Sequence, residues 1–226
     1  MRRVAARGWL AGSTLTVALM GWAVVGSSEA AEQGSREPAL LTVHDWLERE
    51  HASLRRYLAI VRQAAHDYAY GYKTPTLLLP CLVDLYAGRI SAAHAVERRV
   101  VHPVLRAELP AELQQILRLV EHDQESEAHT ITLLQQRIEH SLPPERSEEV
   151  ARLCDDLAQT LNRHIVFYEE RFYPVIEALS PPQQQQMLRD IARGERALFD
   201  PDDRKRWEDL LAYIEAQIDQ VAGRIW

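Results

Sequence analysis

Residues 145–179 read ERSEEVARLCDDLAQTLNRHIVFYEERFYPVIEAL. Apolar residues recur there every three or four positions, which is the period of one face of an amphipathic α-helix. The inward face is predicted to carry Val150, Leu153, Leu157, Leu161, His164, Tyr168, Val175 and Leu179. Proline pairs at 143–144 and 181–182 bracket the segment, and such residues end helices. The segment is therefore predicted to be one long helix.

The same period appears in three segments before this one and in two shorter segments after it. The long helices are predicted at about 41–70, 81–108, 111–140 and 145–179, and the shorter ones at about 183–192 and 204–225. No segment keeps the two-residue alternation of a strand. Four long helices with short connections pack as an antiparallel bundle. We therefore predict an all-α fold: an up-down-up-down four-helix bundle over residues 41–180, with additional C-terminal helices over 181–226 packing on it.

The first thirty residues have the order of parts found in a secretory signal peptide. Arginines at positions 2, 3 and 7 precede an uncharged stretch at 9–25, and small residues stand at Ser28 and Ala30. We predict a signal peptide at residues 1–30, a flexible lead-in at 31–40, and export to the periplasm or the medium. A retained membrane anchor is the alternative, although the apolar stretch is short for a span of about 20 residues.

Composition excludes some classes of partner. The chain has 226 residues, 46% of them hydrophobic, and a formal net charge of −7, which suits a soluble globular protein. No cluster of Lys and Arg interleaved with aromatic residues is present, so nucleic acid is not an expected partner.

The two cysteines, Cys81 and Cys154, form no CxxC motif, and the sequence alone does not decide whether they pair.

Polar residues interrupt the inward face of each long helix. They are His51 on the first helix, Glu97 on the second and His164 on the fourth. The third helix is predicted to turn inward Ile116, Leu119, His122, Ser126, His129 and Leu133. Because ligands projecting from all four helices build the metal sites of bundles, and His with carboxylate suits iron, manganese or zinc, we predict a metal site.

These residues resemble the hemerythrin-like proteins, or HHE cation-binding domains. That family has one His on helices one and three, and His-x-x-x-Glu on helices two and four. The matching features here are Glu50-His51, Glu121-His122, the 93–103 segment ending in His102-Pro103, and the 164–174 segment ending in Tyr173-Pro174. The resemblance covers about residues 42–180.

The chain departs from the family pattern at two ligand positions. Ala93 stands where the family has the helix-two His, with His94 next to it, and Tyr168 stands where it has the helix-four Glu. One residue turns a helical side chain by about 100°, so a neighbour does not replace a ligand automatically. The first candidate ligands are His51, Glu97, His122 and His164. The second candidates are His94 and Tyr168, whose alternative role is packing or partial exposure.

Three other residues are expected outside the site. Glu50 and Glu121 are expected at its rim, as hydrogen-bond partners or solvated charges, and His102 is expected at the surface or at a helix end.

The resemblance implies a non-haem iron protein with one or two iron ions, zinc or manganese being alternatives, and the predicted signal peptide places it outside the cytoplasm. Its partners would be the metal ion and a diatomic gas such as oxygen or nitric oxide, or peroxide. A protein that only holds iron or zinc would use the same residues. A metal-free bundle acting as an interaction module is the alternative from a different class, favoured by Ala93 and Tyr168. No Ser-His-acid arrangement for nucleophilic catalysis is evident.

Overall fold

Six helices make up the residues that the structure describes, which are 42–70, 78–139, 147–199 and 201–222. In this computed structural model they are α1 (Val43–Tyr70), α2 (78–108), α3 (Ala111–Glu139), α4 (147–177), α5 (Pro181–Leu198) and α6 (Pro201–Ala222). No strand occurs in these four ranges. The all-α prediction is confirmed, and the predicted ends of the four long helices lie within three residues of the observed ends.

Helix α5 is longer than its sequence pattern suggested, because it starts at Pro181 and continues to Leu198. Proline is tolerated in the first turn of a helix, where its missing N–H has no partner to lose. The Gln183 side chain accepts a hydrogen bond from the Ser180 backbone N–H at 3.0 Å, which satisfies one donor at the start of the helix. These local contacts explain why α5 begins directly at the proline pair.

Helices α2 and α4 contain π-helical turns, which the sequence analysis did not predict. They span Tyr86–Ile90 and Glu97–Val101 in α2, and Tyr168–Phe172 in α4. Each is closed by a hydrogen bond from an N–H to the carbonyl five residues earlier. One such bond joins the His102 N–H to the Glu97 carbonyl, and another joins the Tyr173 N–H to the Tyr168 carbonyl.

Proline accounts for two of these turns. Pro103 and Pro174 each stand two residues after a π turn. A proline inside a helix lacks the N–H for an α-helical bond, and its ring clashes with the carbonyl four residues earlier. A wider turn just before the proline relieves that clash. The turns also keep His102 and Tyr173 on the same side as the residues five positions before them, so both side chains are buried.

The inward face predicted for α3 is wrong. His122, His129 and Leu119 are exposed, whereas the buried residues are Leu117, Val120, Asp123, Gln124, Glu127, Ile131 and Leu134. The observed face is displaced from the predicted one by a rotation of the helix about its axis. It carries more apolar side chains than the predicted face, and their burial drives packing at roughly 25 cal/mol per Å².

The buried core has two apolar clusters, with a polar layer between them. One cluster contains Leu54, Ile90, Ile131 and Leu161, and the other contains Leu47, Val96, Val120 and Tyr168. On each of α1 to α4, buried His, Glu or Gln side chains stand between the residues of one cluster and the residues of the other. This layer is where the four helices bring their polar residues together.

The two C-terminal helices pack against α1 and α2. Arg56 of α1 donates hydrogen bonds to Glu208 at 2.8 Å and to Glu215 at 2.9 Å, both in α6. Trp207 of α6 lies over Gly88 of α2, where a Cβ atom would come within 2.0 Å of its ring. Gly88 is therefore required for this close approach.

The structure bears differently on the predicted N-terminal segments, a membrane span and the two cysteines. The signal peptide at 1–30 and the lead-in at 31–40 lie outside the described residues. Among the residues that the structure describes, no helix combines the length and the apolar character needed to span a bilayer. Cys81 and Cys154 are both free thiols, and Cys154 is buried.

Candidate metal centre

Five buried side chains from four helices meet in the polar layer. They are His51 from α1, His94 and Glu97 from α2, Glu127 from α3 and His164 from α4, and none is more than 2% exposed. We call these five residues the His-Glu cluster. Three imidazoles and two carboxylates are a donor set that suits iron, manganese or zinc.

Three members of the cluster offer ligand atoms that lie within 4.8 Å of one another: His51, Glu97 and His164. The Glu97 carboxylate lies between the two rings. Its Oε1 is 3.9 Å from His51 Nε2, and its Oε2 is 3.6 Å from His164 Nε2. A single cation at this point would have two nitrogen ligands and one carboxylate ligand.

His94 and Glu127 form an adjacent pair. His94 Nδ1 is 3.6 Å from Glu127 Oε2, and the His94 ring stacks on the His164 ring with centroids 4.9 Å apart. The Tyr86 hydroxyl donates a hydrogen bond to the same Glu127 oxygen at 3.2 Å. The pair therefore lies directly beside the first three ligands.

Most ligand atoms of the cluster have no hydrogen-bond partner. These buried atoms are His51 Nε2, both ring nitrogens of His94, Glu127 Oε1 and both ring nitrogens of His164. Leaving a buried polar group unsatisfied costs about 1–3 kcal/mol. A metal ion would give these atoms the partners that the protein does not supply, so the residues present fit a metal.

Neighbouring hydrogen bonds hold two of the candidate ligands in place. The Tyr173 hydroxyl lies 2.8 Å from His51 Nδ1, which leaves Nε2 facing Glu97. For Nε2 to bind a metal, Nδ1 must carry the proton and donate to the Tyr173 oxygen. Gln124 donates from its amide nitrogen to Glu97 Oε2 at 2.8 Å. Such contacts fix the tautomer and orientation of metal-ligating side chains.

Burial controls the protonation of the cluster. It lowers the pKa of His51 and of His94 to about 3, with smaller contributions from nearby arginines, and it lowers the pKa of His164 well below its usual value. It also raises the pKa of Glu97 to about 8, with help from Glu50, and raises that of Glu127. Near pH 7 without metal, His51, His94, His164 and Glu97 are therefore mainly neutral, so the short distances from Glu97 to His51 and His164 are not ion pairs. Neutral imidazole is the form that binds metal.

The structure brings together four of the six predicted ligands: His51, His94, Glu97 and His164. Tyr168 is buried next to them but already hydrogen-bonded, since its oxygen lies 2.9 Å from His102 Nε2 and its hydroxyl also contacts Glu97. His122 does not join them, because its side chain lies on the exposed face of α3. The prediction that His122 faces the site is wrong for the reason given for α3.

The surroundings differ from the expectations in part. Glu50 borders the cluster and is paired with Arg89, so it is a hydrogen-bond partner as expected, but at 4% exposure it is buried and is not a solvated charge. His102 is fully buried, since the π turn at Glu97–Val101 carries it inward. The sequence reasoning missed Glu127 and Gln124 as well. Their inward position is indicated by the spacing of Leu117, Val120, Ile131 and Leu134. These apolar residues lie on the same side of α3 as Gln124 and Glu127.

A small cavity adjoins the cluster. Its volume is about 20 Å³, and its wall includes His51, Ala93, His94, Glu97 and Arg89. A cavity needs roughly 10–15 Å³ of such volume to hold one water molecule. The small side chain of Ala93, at the position where the resemblance expects a His, borders this cavity. Its volume suits one water-sized molecule.

Comparison with known proteins agrees with this geometry. The family model described as Hemerythrin HHE cation binding domain matches residues 42–176, which is more than half of the chain. Comparison with curated proteins and with solved structures gave no match. The match spans α1 to α4 almost entirely and includes every member of the His-Glu cluster. The chain belongs to the hemerythrin HHE cation-binding domain family.

Proposed function

We propose that this protein is a non-haem iron protein that holds one or two ions in the His-Glu cluster. The observation that carries the proposal is the set of buried ligand atoms without hydrogen-bond partners on His51, His94, Glu127 and His164. Unpaired polar groups in a core lower stability unless something else satisfies them. His51, Glu97 and His164 would hold the first ion, and His94 with Glu127 would hold a second. Zinc and manganese are the alternatives.

The scaffold in this proposal is an up-down-up-down bundle of α1 to α4. The polar layer lies between two apolar clusters, so its ligands are held by side chains packed on both sides. Iron bound there would supply an open coordination position and a redox couple. The protein would contribute exclusion of water, the neutral form of the histidines and their orientation by Tyr173 and Gln124.

The cavity beside Ala93 supports a role in binding a small molecule. Its volume of about 20 Å³ is enough for one water-sized molecule, and the ligand proposed for this place is a diatomic gas such as oxygen or nitric oxide, or peroxide. We propose that such a molecule is the physiological ligand, with iron holding or buffering as the variant in which no small molecule is bound.

Export is a further part of the proposal and rests on residues 1–30 of the sequence. If the segment is a signal peptide, mass spectrometry of the chain recovered from the periplasm or medium should show Ala31 at the N terminus. Recovery of the full-length chain in membranes would support a retained anchor instead.

The metal proposal is tested by replacing buried and exposed histidines in the same way. His51→Leu and His164→Leu should each remove most of the bound iron, because each deletes one of the three proposed ligands of the first ion, which are His51, Glu97 and His164. The matched controls are His122→Leu and His129→Leu, which change exposed residues and should keep the wild-type iron content. The measurement is metal per folded chain by mass spectrometry after loading and desalting.

The same variants separate the metal centre from a metal-free interaction module. Ala93, and Tyr168 with its hydrogen bonds already satisfied, favour that second function. If it holds, His51→Leu and His164→Leu should fold with unchanged or higher thermal stability and without any difference in metal content from the wild type. That outcome would overturn the proposed iron site.

A further inference from the structure

Tyr168 lies against the His-Glu cluster without being one of its proposed ligands. It is fully buried in α4, and its ring stacks on the His164 ring with centroids 5.0 Å apart. The His51 ring meets it edge-on, with centroids 4.9 Å apart. Tyr168 therefore contacts two of the three side chains proposed to hold the first ion. This contact gives an electron a short path between the phenol and that ion.

The Tyr168 hydroxyl has a basic partner on its other side. His102 Nε2 lies 2.9 Å from it, and the His102 ring is neutral near pH 7 because burial lowers its pKa to about 4. A hydroxyl donates only one proton. Glu97, its other contact, already accepts a hydrogen bond from Gln124 and is itself a proposed metal ligand. His102 Nε2 is therefore the acceptor left for the phenolic proton.

The hydrogen bonds continue from His102 to the protein surface. His102 Nδ1 lies 3.2 Å from Glu121 Oε1, and Glu121 also forms an ion pair with Arg106. The Glu121 and Arg106 side chains are 28% and 54% exposed. When Nδ1–H donates to Glu121, the Nε2 lone pair faces Tyr168, and the carboxylate stabilises the imidazolium that forms if Nε2 gains a proton. His102 is thus placed to take a proton from the phenol.

Three other tyrosines are buried in the described part of the chain, and none has such a partner. The Tyr57 hydroxyl donates to a backbone carbonyl at 3.0 Å, which is not a base. The Tyr86 hydroxyl donates to Glu127, a proposed ligand of the second ion. The Tyr173 oxygen accepts from His51 Nδ1 when His51 binds metal through Nε2. A base that is separate from the proposed ligands therefore distinguishes the tyrosine stacked on His164.

We propose that Tyr168 is a redox-active residue that gives one electron when the iron centre reduces hydrogen peroxide, while His102 takes the phenolic proton. The inference rests on the iron site proposed above and names peroxide as its substrate. Reduction of peroxide breaks the O–O bond and forms two O–H bonds, so it consumes two electrons and two protons from solvent. One electron comes from a ferrous ion, which becomes ferric. The other comes from Tyr168, which becomes a neutral phenoxyl radical.

The test is electron paramagnetic resonance of the full chain, loaded with ferrous iron under argon, mixed with hydrogen peroxide and frozen. The wild type should give an organic radical signal that narrows when the chain is made with ring-deuterated tyrosine. Tyr168→Phe should lose this signal and keep the wild-type iron content, because only the hydroxyl is removed. The matched control is Tyr57→Phe, which changes a buried tyrosine outside the site and should keep both the signal and the iron.

His102→Gln tests the proton acceptor. Glutamine still accepts a hydrogen bond from the Tyr168 hydroxyl but does not take up a proton. Freezing at successive times should show radical formation slowed about a hundredfold, the lower end of the effect of a positioned base. Radical formation in the wild type should also be slower in deuterium oxide, because the proton moves with the electron. This second measurement needs no variant.

The possible failures are distinguishable. An iron-loaded wild type without a radical, or a signal that persists in Tyr168→Phe, would overturn the redox role of Tyr168 while leaving the iron site standing. Loss of iron from Tyr168→Phe would also overturn it, because Tyr168 would then be a ligand. An unchanged rate in His102→Gln would overturn the role of His102 as the proton acceptor. A wild-type chain that takes up no iron would overturn the proposed function and this inference together.

Discussion

Burial has opposite effects on the two kinds of side chain in the His-Glu cluster. It removes the proton from the histidines and leaves it on the glutamates, because each side chain avoids its charged form in an apolar interior. His51 and Glu97 are close enough to be taken for an ion pair, at 3.9 Å, but both are neutral near pH 7. A bound cation favours the charged form of Glu97, because the carboxyl must lose its proton to become a ligand.

This protonation predicts how the stability of the metal-free chain depends on pH. From about pH 3 to 6.5, His51 and His94 bind protons only in the unfolded chain, so the free energy of unfolding rises with pH. From about pH 4.5 to 8, Glu97 keeps a proton in the folded chain that the unfolded chain releases, so this group makes the free energy fall. The histidine effect ends near pH 6.5, and only the decrease remains between about pH 6.5 and 8.

Urea unfolding in the presence of chelator would measure this profile. We expect stability to decline from about pH 6.5 to 8, and Glu97→Gln should make that decline shallower, because it removes one of the two carboxyls whose pKa burial raises and leaves Glu127. A free energy of unfolding that keeps rising across this range in the wild-type chain would contradict the protonation described here.

At the scale of single elements, the helices themselves were predictable but their internal turns were not. Prolines, a glycine after the first helix and the three- to four-residue periodicity located the ends of α1 to α4. Two of the π turns lie just before Pro103 and Pro174, inside helices that continue past each proline. A π turn contains one residue more than an α-helical turn, so an inward face predicted from regular α-helical spacing is shifted after it. His102 and Tyr173 were misjudged or overlooked for that reason, although each contacts the site directly or through Tyr168.

The third helix shows a different limit. Its sequence contains two overlapping faces, one marked by His122 and His129 and the other by Leu117, Val120, Ile131 and Leu134. The expectation of a ligand histidine favoured the first face, whereas apolar burial selects the second. Glu127 and Gln124 then enter the site in place of His122. His51, Glu97 and His164 were found from the sequence because they stand on the predicted apolar faces of their helices, whereas His94 was found through the family resemblance.

The contact between α2 and α6 gives a prediction at this scale. Gly88→Ala would place a Cβ atom 2.0 Å from the Trp207 ring, which must move. We expect a loss of about 1–3 kcal/mol, the range for an overpacked contact. Faster hydrogen exchange in residues 201–222 should accompany it.

Gly194→Ala is the matched control. There a Cβ atom would lie 3.4 Å from Val96, which is ordinary contact, and alanine favours the helix by about 1 kcal/mol over glycine. This variant should be neutral or slightly more stable than the wild type. If both glycine variants have the same thermal unfolding temperature as the wild type, the described packing of α6 on α2 is wrong.

At the scale of the whole molecule, the site lies in the middle of the bundle and not in a surface cleft. Two apolar clusters enclose it, and α5 and α6 add a second layer over α1 and α2 through residues such as Arg56 and Trp207. The cavity beside Ala93 lies between α1 and α2, on the side that carries Arg89 and Phe199.

The central claim is that the His-Glu cluster holds metal, and anomalous diffraction at the iron absorption edge tests it most directly. Crystals of the iron-loaded chain should give a peak bordered by His51 Nε2, Glu97 and His164, with a second peak beside His94 and Glu127 if two ions bind. Iron-loaded crystals without a peak among these residues, or with iron only on exposed side chains such as His122, would contradict the account.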